Sequence, residues 1–278
     1  MQKGWISSAE QIESYVEELK KTGRKLLTNY YLDAEKLQAL IKEREISYDY
    51  KEGKYLNLLC REEGFLRLYF YIAAFDGFNV EESNEIVVCD LFSREENEEL
   101  EKIMEKLDAC YFHQYACFEK WRAKCPKQLL ESASQEVAFG YEKDQEAINL
   151  IFEIFDKYTD YLPRKCDIAM FLKDKKFINI YAKEDDRLLG CLIYSQRGKE
   201  YTIEFYYVRP EERGKRISYL LHDHYYQKYA KDERGGKFVS WINTNNLKSI
   251  LIHQRYNYQK LELKKYTYLR DANISLHK

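Results

Sequence analysis

Between Ser8 and Glu45 apolar residues recur at helical spacing, first Ile12, Tyr15, Val16 and Leu19, then Leu37, Leu40 and Ile41. This predicts two helices, each with one apolar face. The period then changes. From Ile46 to Ala74 the chain runs ISYDY, KYLNLLC and FLRLYFYIA, short alternating or apolar stretches parted by KEG and REEG, as successive antiparallel strands require. A further strand, EIVVCDLF, leads into SREENEELEKIMEKL, where Ser93 and Glu96 stand at capping-box positions for a helix. Ala109 to Lys127 carries no clear period.

The second half repeats this order. QEVAFGY predicts a strand, Ile148, Ile151, Phe152 and Phe155 mark a helix, and KCDIAMFLKD suggests another. FINIYAKE, LLGCLIYSQ and YTIEFYYV read as strands with DDR and RGK turns between them. Then come VRPEERGKRISYLL, a helix to about Ala230, a strand KFVSWIN, a helix from about Asn246 to Tyr256 and a closing strand near KLELKKYTYL. The shared order implies an internal duplication, although residue identity between the halves is not evident. LLESAS, Leu129 to Ser134, interrupts the pattern and divides the chain into 1–133 and 134–278. The fold class expected is α/β, with a mixed, mainly antiparallel central sheet flanked by helices.

Composition agrees with two globular units: 278 residues, 45% hydrophobic, with 11 Gly and 3 Pro. No apolar run approaches the roughly 18 residues of a membrane span, and the opening MQKGWISSAEQIESYVEELKK becomes a charged helix where a signal peptide needs an apolar core. A soluble, cytoplasmic protein is expected, without membrane partners. The 7 cysteines lie mostly among apolar neighbours and include no C-x-x-C pair, so they read as buried thiols with no metal site. Net charge is −2 but unevenly spread. Residues 1–134 hold 19 Lys and Arg against 26 Asp and Glu, whereas the remainder holds 26 against 21, which favours the second half for an anionic ligand. The 26 tyrosines follow strand alternation and no basic stripe accompanies them, which argues against nucleic acid.

The second half offers a seat for such a ligand. In YTIEFYYVRPEERGKRISYLL the strand ends at Val208, Pro210 blocks its continuation, and a helix begins in the turn RGKRIS. Amides at a helix N-terminus, with its dipole behind them and Arg213, Lys215 and Arg216 beside them, suit a pyrophosphate. A solvated basic turn is the plainer alternative. P-loop spacing is absent, and the hairpins do not suit a parallel dinucleotide fold.

With the later stretch NNLKSILIHQRYNYQKL, this region resembles the GNAT superfamily of acyl-CoA-dependent N-acetyltransferases, over about Glu136 to Leu269. Val208, Pro210, Arg213, Gly214, Asn246, Ser249, Ile250 and His253 match the family pattern. The resemblance implies that Tyr206, Tyr207 and Val208 lie along the pantetheine arm of acetyl-CoA. It places Arg213, Gly214, Lys215, Arg216, Ile217 and Ser218 around the pyrophosphate, with Asn246 and Ser249 on the later helix. His253 falls where relatives carry a Tyr or His near the sulfur, as an acid for the leaving thiolate, and Glu204 is the candidate base for an amine acceptor. A packed helix histidine and a half-exposed strand glutamate are the alternatives.

Departures from the pattern are Arg216 at the central glycine, Ser218 at a Gly or Ala position, and Asn257-Tyr258 for Gly-Phe. Asn tolerates the left-handed backbone that glycine would adopt. Arg216 either blocks the cofactor or reaches its phosphates. His222 and His224, two apart on a helix, point to different faces and do not suit a metal. Tyr158, Asp160 and Tyr161 lie where relatives cover the acceptor. In the first half the junction VVCDLFSREENEEL is acidic and would repel phosphate, which suggests a degenerate GNAT-like domain or an unrelated α/β domain. Two functions follow: an N-acetyltransferase acting on an amine, or a non-catalytic binding or regulatory protein of the same fold.

Overall fold

A computed structural model describes the chain except residues 33, 63, 81–84, 95–97, 122–135, 158–171, 231–235 and 271–278. Two compact units result, Met1–Gln114 with Lys265–Lys278, and Tyr115–Lys264. The boundary expected at 133/134 falls outside the described residues. Compactness divides the chain elsewhere, because two long strands, β7 (Cys110–Trp121) and β13 (Gln259–Arg270), each contribute to both units.

The first unit opens with β1 (Gln2–Trp5), a strand the sequence pattern did not reveal. The two expected helices follow as α1 (Ala9–Lys20) and α2 (Ala34–Lys42), with Ser8 accepting from the Gln11 amide to cap α1. A two-residue strand, β2 (Leu27–Thr28), lies between them and pairs with Ile72 and Tyr71. Strands β3 (Ile46–Lys51), β4 (Tyr55–Glu62) and β5 (Phe65–Ile72) form the expected antiparallel meander. β6 (Val87–Ser93) runs parallel to β5 over only Leu66↔Val87 and Arg67↔Val88. Ser93 therefore ends a strand, and α3 (Glu98–Leu107) starts later than its expected cap. Apolar residues lie on both sheet faces. Ile12, Leu19 and Leu37 from α1 and α2 pack on Leu56, Leu58 and Cys60, whereas Phe78, Ile103 and Leu107 pack with Leu66, Leu68 and Phe70.

The second unit has β8 (Val137–Gly140), α4 (Gln145–Lys157), β9 (Lys176–Ala182), β10 (Leu188–Arg197) and β11 (Glu200–Val208). A short 3₁₀ turn, Pro210–Glu212, leads into α5 (Ile217–Ala230), and β12 (Lys237–Asn243) and α6 (Leu247–Arg255) follow before β13. In sheet order β8, β9, β10 and β11 are antiparallel neighbours, β12 lies parallel to β11, and β7 is antiparallel to β12. α4 packs on one face through Ala147, Leu150 and Ile151, while α5 covers the other through Leu220, Leu221 and Tyr225.

Set side by side, the two units share the order strand, helical region, three antiparallel strands, parallel strand, helix, strand. They differ at one element. α5 fills the crossover from β11 to β12, whereas the crossover from β5 to β6 contains no helix among its described residues. The acidic junction after β6 thus corresponds to the β12–α6 connection and not to the phosphate turn. Among its described residues the first unit has no counterpart of that turn.

Candidate active site

The site is organised by the way β11 leaves β12. Their parallel ladder runs through Glu200↔Lys237 to Ile203↔Ser240 and goes no further, while β11 stays paired with β10 as far as Val208. Among the described residues β11 therefore has no ladder partner on its β12 side from Glu204 to Val208, and the two strands part there. The register between β10 and β11 shifts at Ile193/Tyr194, so Glu204 is the extra residue of a β-bulge. Ile203, Tyr206 and Val208 pack with α5, and Phe205 and Tyr207 pack towards α4.

At the end of the same strand the chain makes the turn anticipated from its sequence. Gly214 has φ +86° and Arg216 φ +65°, both left-handed. Arg216 thus adopts the backbone of the glycine it replaces, at a conformational cost, and its side chain is exposed. An added Cβ at Gly214 would meet nothing within 4 Å. The Lys215 amide donates to the Glu212 carbonyl at 3.3 Å, but among the described residues the amides of Gly214, Arg216, Ile217 and Ser218 donate to no backbone carbonyl. Amides so placed at a helix N-terminus are donors that an anion can meet. The Ile217 side chain is buried in the core, so only its amide is offered.

Glu212 braces the turn from below. Its buried carboxylate accepts from Arg187 at 2.9 Å and from Lys215 at 3.1 Å. Burial by itself would raise its carboxyl, but Arg187 and Lys215 hold it below its ordinary value. Lys215 is thereby tied to a carboxylate while still largely exposed. Arg213 turns back to donate to the Val208 carbonyl at 3.3 Å. Arg209 donates to the Leu188 carbonyl at 2.6 Å and pairs with Glu146. Gly190 allows β10 to approach this strand end: an added Cβ would lie 2.5 Å from the Tyr207 carbonyl oxygen. Of these braces only Gly190 left a trace in the sequence, as an isolated glycine within a strand.

On the later helix Asn246 is the N-cap of α6, accepting from the Ser249 amide at 3.1 Å. Asn257 takes φ +60°, as its glycine-like position demands. His253 lies inside the fold. It is 3% exposed, with Nδ1 2.8 Å from the Ser249 carbonyl and Nε2 3.0 Å from Ser240 Oγ. A carbonyl has no proton, so Nδ1 carries the hydrogen and Nε2 accepts from the serine. Burial pulls its pKa down to about 4. His253 is then a neutral ring whose single N–H is held by the Ser249 carbonyl, and it packs beside Phe118, His222 and Tyr258.

Glu204, the candidate base, sits on the bulge of β11. Its side chain is 25% exposed, and Oε1 accepts from Ser195 Oγ at 2.7 Å and lies 3.6 Å from Lys175 Nζ. Its oxygen-only chemistry suits proton removal from an ammonium. His222 is buried, with Nδ1 3.1 Å from the Ser218 carbonyl, whereas His224 stacks on Phe139 and meets Tyr141 Oη at 2.6 Å. The two histidines point apart, as their spacing requires. Lys120, which sequence reasoning passed over, is buried and donates to the Tyr256 carbonyl at the end of α6 at 2.5 Å. Tyr158, Asp160 and Tyr161 lie outside the described residues.

Comparison with known proteins agrees with this geometry. No curated protein matches the chain. A GCN5-related N-acetyltransferase from Sphaerobacter thermophilus is similar in structure at TM-score 0.61 and 10% identity, covering 99% of this chain and 97% of that one. One from Kribbella flavida gives 0.53 and 12%, with 93% and 97% covered. A tandem GNAT protein from the clavulanic acid biosynthesis pathway gives 0.52 and 9%, with 83% and 82% covered. At such identities these likenesses establish the fold, a GNAT fold that extends over most of the chain. The model of the acetyltransferase (GNAT) family matches residues 100–258, more than half of the chain, and the chain belongs to that family.

Proposed function

We propose that the second unit transfers an acetyl group from acetyl-CoA to a primary amine on a small molecule, amino acid or peptide. Acyl transfer in general follows from the family; donor and acceptor are inferred from the site. The observation that carries the reading is that one strand, β11, holds three features. These are an edge without a ladder partner, a bulge bearing a carboxylate, and a terminal turn with free amides and exposed cations.

The fit to a CoA pyrophosphate is chemical. The amides of Gly214, Arg216, Ile217 and Ser218 are donors in need of an acceptor, and the Arg213 and Arg216 guanidinium groups add charge. When bound, acyl-CoA supplies the activated acyl group. Main-chain groups of Glu204 to Val208 would align the pantetheine arm, as in the family. The amine arrives as an ammonium ion, and the Glu204 carboxylate takes its proton so that the nitrogen lone pair can attack. Attack forms the C–N bond, the nitrogen then releases its second proton to solvent, and collapse breaks the C–S bond to leave a thiolate that takes a proton from solvent; the His253 proton stays on Nδ1 against the Ser249 carbonyl.

Calorimetric titration with acetyl-CoA tests the donor. Micromolar binding is expected, and no binding at millimolar acetyl-CoA sinks the reading, leaving a non-catalytic protein of this fold. Free-thiol release across a panel of primary amines tests turnover, and Glu204→Gln is expected to lower it about 100-fold.

A further inference from the structure

The base does not stand alone. Lys175 sits in the turn before β9, its side chain 9% exposed, with Nζ 3.6 Å from Glu204 Oε1 and 3.2 Å from the exposed Asp174. Ser195, on β10, donates its hydroxyl to the same Oε1 at 2.7 Å. Both contacts are made by one carboxylate oxygen. Among the described residues Oε2 accepts no hydrogen bond.

The bulge explains why these groups meet. Ser195 pairs with Thr202, and Tyr194 with Ile203, before the register slips so that Ile193 faces Phe205. The extra residue, Glu204, is delivered to the side of the sheet carrying Ser195, Ile193 and Cys191, where α4 packs. That is the face opposite α5. A nearly buried lysine is costly unless a carboxylate accompanies it, so placing one beside this glutamate is a specific arrangement.

We infer that Lys175 and Ser195 are positioning residues for the transfer reaction: they clamp Oε1 of Glu204 so that Oε2 is presented to the ammonium group of the acceptor. The inference rests on the reading of Glu204 as base. A carboxylate free to rotate about its side-chain torsions would spend little time with either oxygen aimed at the acceptor, and orientation is a large part of what a catalytic group contributes. Lys175 and Ser195 transfer no proton themselves.

The test measures acetyl-CoA-dependent thiol release with the panel amine that turns over fastest, in Lys175→Met, Lys175→Arg, Ser195→Ala and Glu204→Gln. Lys175→Met is expected to lower kcat about tenfold, with acetyl-CoA affinity by calorimetry unchanged, and Lys175→Arg to restore most of it. Ser195→Ala, which loses only a hydroxyl and keeps the strand intact, is expected to lower kcat about threefold to tenfold. Turnover that depends on Glu204 yet is unchanged in both Lys175→Met and Ser195→Ala overturns the inference alone. Full turnover in Glu204→Gln overturns the base assignment beneath it. Acetyl-CoA binding without turnover on any amine removes both.

Discussion

Arg216 is the residue at which this chain departs furthest from its family, and its backbone answers the question its side chain raises. At φ +65° it follows the path of a glycine, and the exposed guanidinium leaves the neighbouring amides open. Arg216→Gly should therefore raise stability slightly, by up to about 1 kcal/mol in urea unfolding, since left-handed strain is relieved. The same change should weaken acetyl-CoA binding by about fivefold or more, because a charged phosphate contact is lost. Tighter binding in that variant would mean that the arginine obstructs the site. His253 makes a second residue-scale prediction. Its pKa, about 4 when folded, lies below the ordinary 6.5. The stabilisation is therefore complete above about pH 6.5 and is lost as pH falls towards 4. Over that interval the wild type should lose about 3 kcal/mol more than His253→Gln. Equal losses would show that the ring is not buried and neutral. What the chain's pattern could not disclose was the tautomer: helix spacing puts a histidine on a face, but Ser249 and Ser240 decide which nitrogen bears the proton.

Among the elements, the strands of the second unit were legible because alternating side chains and short polar turns leave little choice of period. β12 spans the same residues in sequence and structure, and β9 to β11 agree within one or two at most ends. β7 was not legible, since its polar positions, Gln114, Glu119 and Lys120, do not keep a period of two. Ser93 misled for a different reason. A capping-box pattern is a local preference, and pairing in a sheet overrides it. The bulge at Glu204 has no sequence signature, because it arises only when β10 and β11 are aligned. Gly190 is where that alignment is tightest. Gly190→Ala should push the ends of β10 and β11 apart, lowering stability by about 1–3 kcal/mol and acetyl-CoA affinity about tenfold or more. Thermal unfolding and calorimetry on the same sample check both, and an unchanged affinity would free the turn from dependence on that contact.

In the whole molecule the two units share an order of elements and differ in chemistry. Where the first unit's parallel strands part, Arg67 occupies the last rung and bonds Glu62 at 2.8 Å and Asp90 at 2.7 Å, all three nearly buried. Tyr31 and Thr267 also donate to Asp90. Burial would raise the Asp90 carboxyl, but Lys265 and Arg67 hold it down. An ion network fills the position that Ile203 and Ser240 take in the second unit, and among the described residues the β5–β6 crossover holds no helix. One acetyl-CoA per chain is therefore expected by calorimetry; a stoichiometry of two would require a site in the first unit that this geometry does not provide.

The sequence by itself determined most of the elements, their order and the turn after β11, because periodicity, turn residues and a helix N-terminus act over a few neighbouring positions. It also determined which half could hold an anion, through charge alone. Tertiary structure decided what depends on residues distant in the chain. It gave β7 and β13 to both units, buried His253 against Ser240, and gathered Lys175, Ser195 and Glu204 around one bulge. Burial, register and tautomer are properties of packed neighbours, and no local pattern encodes them.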